Sequence, residues 1–233
     1  MQVVASLGLF AISSGKLVAL GIVHRVGCCI LATSRGQNTS VHEGHHSNFR
    51  QRLRAETGDS HVAVEAAFDA LDTECASGLG ATLHAHIEAI QRLLPAVQTR
   101  PGLRREFERL AQIAQNSQQA VGYSGRWGPR LEAAEDLHPI AAGYVLLGSR
   151  LGAAILKARM RQQSRQWSED AIAYFTDSGS RTIWAALNAE IENVTEERER
   201  AKIIDDAKAA FGLFAEEAER ALKVISGELC HGC

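Results

Sequence analysis

Proline is scarce. There are four in 233 residues, too few to break up the many alanine-rich periodic segments, and this is the composition of an all-helical protein. An excess of charge of one sign is missing too. The formal net charge of −2 predicts no broad nucleic-acid footprint, and no stretch resembles a basic reading helix. Strand-like alternation, a P-loop, a GxGxxG turn and a GxSxG elbow are all lacking, which argues against nucleotide, flavin and serine-hydrolase enzymes. The five cysteines, Cys28, Cys29, Cys75, Cys230 and Cys233, make an adjacent pair, a singlet and a tail pair. That is not a disulfide framework, and a reducing cytoplasm is expected.

A chain of this length that is 45% hydrophobic can bury one sizeable core, so a single domain is expected, placed over residues 47–228. Residues 1–46 do not match it in pattern, and 229–233 form a tail. The opening MQVVASLGLFAISSGKLVALGIV is apolar but broken by Ser13, Ser14 and Lys16, with clean runs shorter than the ~20 residues of a membrane span. It is read first as a loose extension or a start drawn too far upstream, then as a targeting segment, then as an anchor. An internal start would need a non-AUG codon, for example at Val41, because Met160 is the next methionine after Met1. His42-Glu43-Gly44-His45-His46 spells HExxH, but in a glycine-containing, loop-like context rather than on a helix, so it is taken as chance. The terminal CHGC, Cys230 to Cys233, is a lone CxxC without the second pair that a zinc site requires.

Helical periodicity fills the remainder. Leu83, Ile87, Ile90 and Leu94 mark a helix over about 82–94, on which His84 and His86 read as ordinary surface or boundary residues. Pro101 opens another, with Leu103, Phe107, Leu110 and Ile113 on its buried face. Residues 121–130 form a glycine-rich loop. Pro139 starts a helix of about five turns that contains Gly143, Gly148 and Gly152. Each interior glycine costs a helix ~1 kcal/mol relative to alanine, so three need a reason. One reason is tight helix packing; another is close approach of the backbone to a flat ligand. Ser168 is placed to cap a helix through Phe175, Arg181 to Val194 forms the next, and Thr195 is placed to cap a last one reaching Ser226.

The stretch LRAETGDSHVAVEAAFDAL, Leu53 to Leu71, carries the sharpest signal. Its spacing predicts one helix with His61, Val64, Phe68 and Leu71 on a buried stripe, and Glu65 one turn beyond His61 on the same side. Arg54 lies seven residues before the histidine. An imidazole, a carboxylate to orient it and a nearby cation are the parts needed to hold haem: an iron ligand, an acceptor for the second ring nitrogen and a partner for a propionate. A lone histidine on an apolar face is more often a hydrogen-bonded core residue.

Two motifs together are more specific. Leu53, Arg54, Thr57, His61 and Glu65, followed by Tyr144, Gly148, Ser149, Leu151 and Gly152 in YVLLGSRLGAAIL, resemble the iron-binding and glycine-rich distal motifs of the haem oxygenase family. The similarity is closest to its bacterial, bacteriophytochrome-associated branch and runs from about Phe49 to Ser226. A helix with Trp184 and a late AFGLF, Ala210 to Phe214, also resemble the family's last two helices. The chain departs from the family at Ala153, where a second glycine is usual. Ser149 stands where the eukaryotic-type enzymes carry an aspartate, and matches the bacterial branch.

The resemblance implies a single-domain all-α fold with haem between a proximal and a distal helix. It implies cleavage of haem at a meso carbon to biliverdin, carbon monoxide and ferrous iron, using O2 and external electrons. Haem would be both cofactor and substrate. His61 would be the metal ligand; Arg54, Glu65, Tyr144, Phe211 and Phe214 would bind the cofactor, with Arg181 a second propionate candidate. Gly148, Ser149 and Gly152 would form the catalytic distal face, with protons supplied through water held by Ser149, Arg150 or backbone groups. Implied partners are an electron donor of ferredoxin, flavodoxin or ascorbate type and a bacteriophytochrome that receives biliverdin. Nucleic acid and membrane are not expected partners. A haem carrier or sensor on the same fold is the alternative.

Overall fold

The computed structural model describes residues 48–125, 127, 131–162 and 167–229, side chains at 151–162 and 228–229 excepted. The described residues form helices and no strands. In order these are α1 (Phe49–Glu56), α2 (Gly58–Asp69), α3 (Ala76–Leu93), a 3-10 turn (Leu94–Val97), α4 (Pro101–Val121), α5 (Pro139–Gln162), α6 (Glu169–Thr176), α7 (Arg181–Asn193) and α8 (Glu197–Leu229). None of them is long and apolar enough to cross a membrane. The expectations for residues 1–46, for HExxH and for the CHGC tail lie outside the described residues.

Local chemistry sets most of the boundaries. Pro101 and Pro139 are the first residues of α4 and α5, where a missing N–H costs nothing. Ser168 accepts a hydrogen bond from the Ala171 N–H and caps α6, as its type and position predict. Gly122, at φ 74°, closes α4 in the left-handed conformation that glycine adopts freely. The segment expected as one helix from Leu53 to Leu71 is interrupted at Thr57, whose φ of −98° and ψ of 1° end α1. The Thr57 hydroxyl donates to the Leu53 carbonyl at 2.7 Å, so this buried side chain turns back on α1, and Gly58 follows without a Cβ to hold the helix straight.

Helix α3 is the central element. It is buried on nearly every side and packs on α4 and α8. Leu53, Leu79, Leu83, Ile90, Leu93, Phe107, Leu110, Leu146 and Ile203 form the fully buried centre. Farther along, Ala81 and Ala85 of α3 meet Ala218 and Ala221 of α8, small residues that allow a close approach of the two helices. Buried charge is paired. Arg109 bridges Glu106 on its own helix and Asp177 beyond α6, and the Ser180 hydroxyl donates to the same Glu106 at 2.5 Å, tying α4 to the α6–α7 turn. Its hydrogen bonds to Arg109 hold the Asp177 carboxyl below the usual carboxylate range. Arg92 of α3 reaches Glu216 at 2.9 Å and Glu217 at 3.1 Å on α8 and donates to the Glu132 carbonyl at 3.0 Å, which anchors the chain leading into α5.

Candidate functional site

Helix α2 carries His61 but contributes no buried residue. Of the expected buried stripe, Val64 and Phe68 are partly buried, Leu71 is buried just beyond the helix end, and His61 is exposed. The stripe lies wholly beyond Thr57, and α2 rests on the core by its Val64 and Phe68 edge, one and two turns past His61, which leaves the imidazole outside. The imidazole side chain is 51% exposed, so it is not a satisfied core histidine. Its Nδ1 lies 3.6 Å from Glu65 Oε1, too long for a direct hydrogen bond, and Nε2 is the nitrogen left for a ligand. Phe211 of α8, itself buried, meets the His61 ring edge-on with centroids 5.6 Å apart. Arg54 is exposed in the last turn of α1, on the far side of the Thr57 break, and Arg181 is exposed at the start of α7.

The glycine-rich helix α5 leans on α7 and also on α8. Tyr144, half-buried, lies 6.1 Å from the Trp184 ring at 33°. Two of its glycines have different surroundings. A Cβ built on Gly143 would come within 3.0 Å of Leu187 Cδ2 and 3.4 Å of both Leu103 Cδ atoms, so helix packing accounts for that residue. A Cβ on Gly148 would meet only Trp184, at 3.6 Å and 3.9 Å, which is ordinary van der Waals contact. Packing does not require Gly148. Ser149 uses its hydroxyl to bond the Leu146 carbonyl of its own helix at 2.7 Å. Gly152 lies on α5, in the stretch whose side-chain surroundings are outside the description.

Helices α2 and α5 both rest on α8 but have at most marginal contact with one another. His61, with Glu65 one turn on, thus meets α8 at Phe211, while Tyr144 and Gly148 of α5 adjoin Trp184 of α7. Phe214, one turn beyond Phe211, is buried.

His86, expected at the surface or the boundary, is half-buried, in an aromatic setting that the sequence reading did not anticipate. The ring stacks on Phe68 (centroids 4.6 Å, 25°) and meets Phe214, Phe175 and Tyr174 at 5.7, 6.1 and 5.1 Å. Its Nδ1 is 3.3 Å from the Tyr174 hydroxyl. Burial among these rings, aided by the nearby Arg150 cation, lowers its pKa to about 3, so the imidazole is neutral at physiological pH. Tyr174 is fully buried. Arg150 places its guanidinium 4.3 Å from the centre of the Tyr174 ring and donates to the Tyr174 carbonyl, while its buried Nε has no hydrogen-bond partner among the described residues. The missed signal was spacing: His86 falls three residues after Leu83 and four before Ile90, on the buried stripe of α3. His84, also expected at the surface or the boundary, is half-buried and stacks on Trp127 at 3.6 Å.

No protein-family model matches the sequence, and no curated protein is significantly similar to it.

Proposed function

We propose that the chain is a haem oxygenase that holds haem between α2 and α5 and opens the ring at a meso carbon. The observation that carries this reading is Gly148: an interior helix glycine that packing does not need, on a helix that, like the histidine-bearing α2, packs on α8. Keeping a residue that weakens its helix makes sense where a flat ligand must come close to the backbone. The exposed His61 ring, with Glu65 one turn away, supplies the ligand side.

When bound, haem supplies the iron that activates oxygen with external electrons; biliverdin, carbon monoxide and ferrous iron are the products. The protein's part is to hold and orient. His61 would hold the iron through Nε2, and Glu65, 3.6 Å from Nδ1, would orient the ring. Phe211 limits rotation of the His61 ring by edge contact, and Phe214 extends the apolar wall. Arg54 and Arg181 are free to meet propionates. Gly148 and, from the motif resemblance alone, Gly152 would leave the backbone bare towards the ring, and Tyr144 stands on the same helix one turn before Gly148. Electrons come from a separate donor of ferredoxin, flavodoxin or ascorbate type, and a bacteriophytochrome is a fitting recipient of the product.

Titration with hemin tests the binding step. A Soret band that shifts and saturates at one equivalent is expected, with His61→Ala weakening binding at least tenfold and changing the band position. No shift in the wild-type protein would remove the haem reading and leave a helical scaffold.

A further inference from the structure

In the haem reading a flat macrocycle lies against the bare backbone of Gly148, and the present inference rests on that reading. The side chain that lies over this backbone is Trp184. A Cβ built on Gly148 would be 3.6 Å from Cη2 of the indole and 3.9 Å from Cζ3, with no other helix within 4 Å among the described residues. Tyr144 is also beside the indole, with ring centroids 6.1 Å apart. Tyr144 and Gly148 stand four residues apart and so share one face of α5, and Trp184 of α7 spans both.

That face has no room for the indole and a macrocycle together. One bond of about 1.5 Å separates a Cβ from its Cα, so the indole tip is at most about 5 Å from the Gly148 Cα. A flat ring held between two surfaces needs about 7 Å, one carbon contact of about 3.5 Å on each of its faces. We infer that Trp184 is the gate of the glycine face: its indole covers Gly148 and turns out towards solvent before a flat macrocycle lies on that backbone.

The surroundings of Trp184 allow the motion. The residue is half-buried, and Arg181, Thr182, Ala185 and Ala186 beside it in the first two turns of α7 are exposed, so an outward rotamer is open to the indole. Leu187, the side chain that α7 lays on Gly143, is 2% exposed and has no such freedom. A gate and a fixed wall differ in their kinetics. A gate that is mostly closed lowers the association rate and the apparent affinity by the open fraction and leaves dissociation unchanged. A wall that grips the bound ring slows its release, so removing it speeds dissociation.

The full chain labelled with 5-fluorotryptophan carries three probes, Trp127, Trp167 and Trp184, and Trp184→Phe assigns the last. On adding gallium protoporphyrin, an unreactive haem analogue, the Trp184 fluorine resonance is expected to move and to gain a larger H2O/D2O isotope shift as the indole meets solvent. In stopped-flow mixing with hemin, Trp184→Ala is expected to associate at least fivefold faster than wild type with dissociation within twofold, and Trp184→Phe to fall between them. If wild type binds hemin while the Trp184 fluorine is unmoved by the analogue, or if Trp184→Ala associates no faster or releases hemin faster, the inference fails and the haem reading stands. If wild type shows no Soret shift, both fail. Circular dichroism of each variant identifies a folding defect, and the fluorine measurement on the unsubstituted chain decides the matter where a variant does not fold.

Discussion

Replacing Gly148 and Gly143 by alanine, one at a time, separates a glycine kept for a ligand from one kept for packing. At Gly148 the new Cβ would lie 3.6 Å from Trp184 Cη2 and 3.9 Å from Cζ3, with no overlap to relieve. The helix gains about 0.4–1 kcal/mol from the smaller entropy loss of alanine, which for a chain of this size raises Tm by about 1–4 °C. At Gly143 the Cβ would press on Leu187 at 3.0 Å and on Leu103 at 3.4 Å. Both leucines are buried, at 2% and 6% exposure, and cannot swing into solvent. Overpacking of that kind costs about 1–3 kcal/mol, which cancels or exceeds the helical gain. Urea unfolding of the haem-free protein, followed by circular dichroism, is therefore expected to show Gly148→Ala at or above wild type and Gly143→Ala below Gly148→Ala by about 1 kcal/mol or more. In hemin titrations the order changes: Gly148→Ala is expected to weaken binding about tenfold or more, the cost of one methyl pressed against a flat ligand. The reasoning is refuted if Gly148→Ala destabilises the haem-free chain as much as Gly143→Ala, or binds hemin like wild type.

Two further substitutions test the interior. Arg92→Met leaves Glu217, 2% exposed, with Arg220 at 3.3 Å as its one remaining cation among the described residues; a loss of about 3 kcal/mol is expected in urea unfolding, and a change below ~0.5 kcal/mol would mean the pair is effectively solvated. His86 is held neutral in the fold, with its pKa lowered from 6.5 to about 3, while the unfolded chain binds a proton near the ordinary value. Its contribution is therefore fully present above pH 6.5 and is lost as pH falls from 6.5 towards 3, with a slope of at most about 1.4 kcal/mol per pH unit. The difference between wild type and His86→Phe across that window reads this term. Parallel stability curves for the two proteins would show that His86 is already solvated.

The boundaries that sequence chemistry stated well were those set by one residue acting locally. Pro101, Pro139 and Ser168 act through a missing donor or a capping oxygen, so α4, α5 and α6 begin where expected. Thr57 was not legible in this way: its hydroxyl returns to Leu53 only because both are buried, a tertiary circumstance. His61 was expected inside the protein and stands half outside it, because α2 as a whole lies at the surface and contributes no buried residue. The three glycines of α5 looked alike in sequence, yet Leu103 and Leu187, from α4 and α7, make Gly143 a packing residue and leave Gly148 without that role. His86 was undervalued because its companions Phe68, Tyr174, Phe175 and Phe214 come from three other helices, and no local pattern reports such a convergence.

The central claim is turnover. The purified protein with one equivalent of hemin, given ascorbate or ferredoxin with its reductase in air, is followed through the visible spectrum. Loss of the Soret band with growth of a broad red biliverdin absorption is the expected result. A Soret band that persists under reductant and oxygen would contradict the oxygenase and make the protein a haem carrier or sensor.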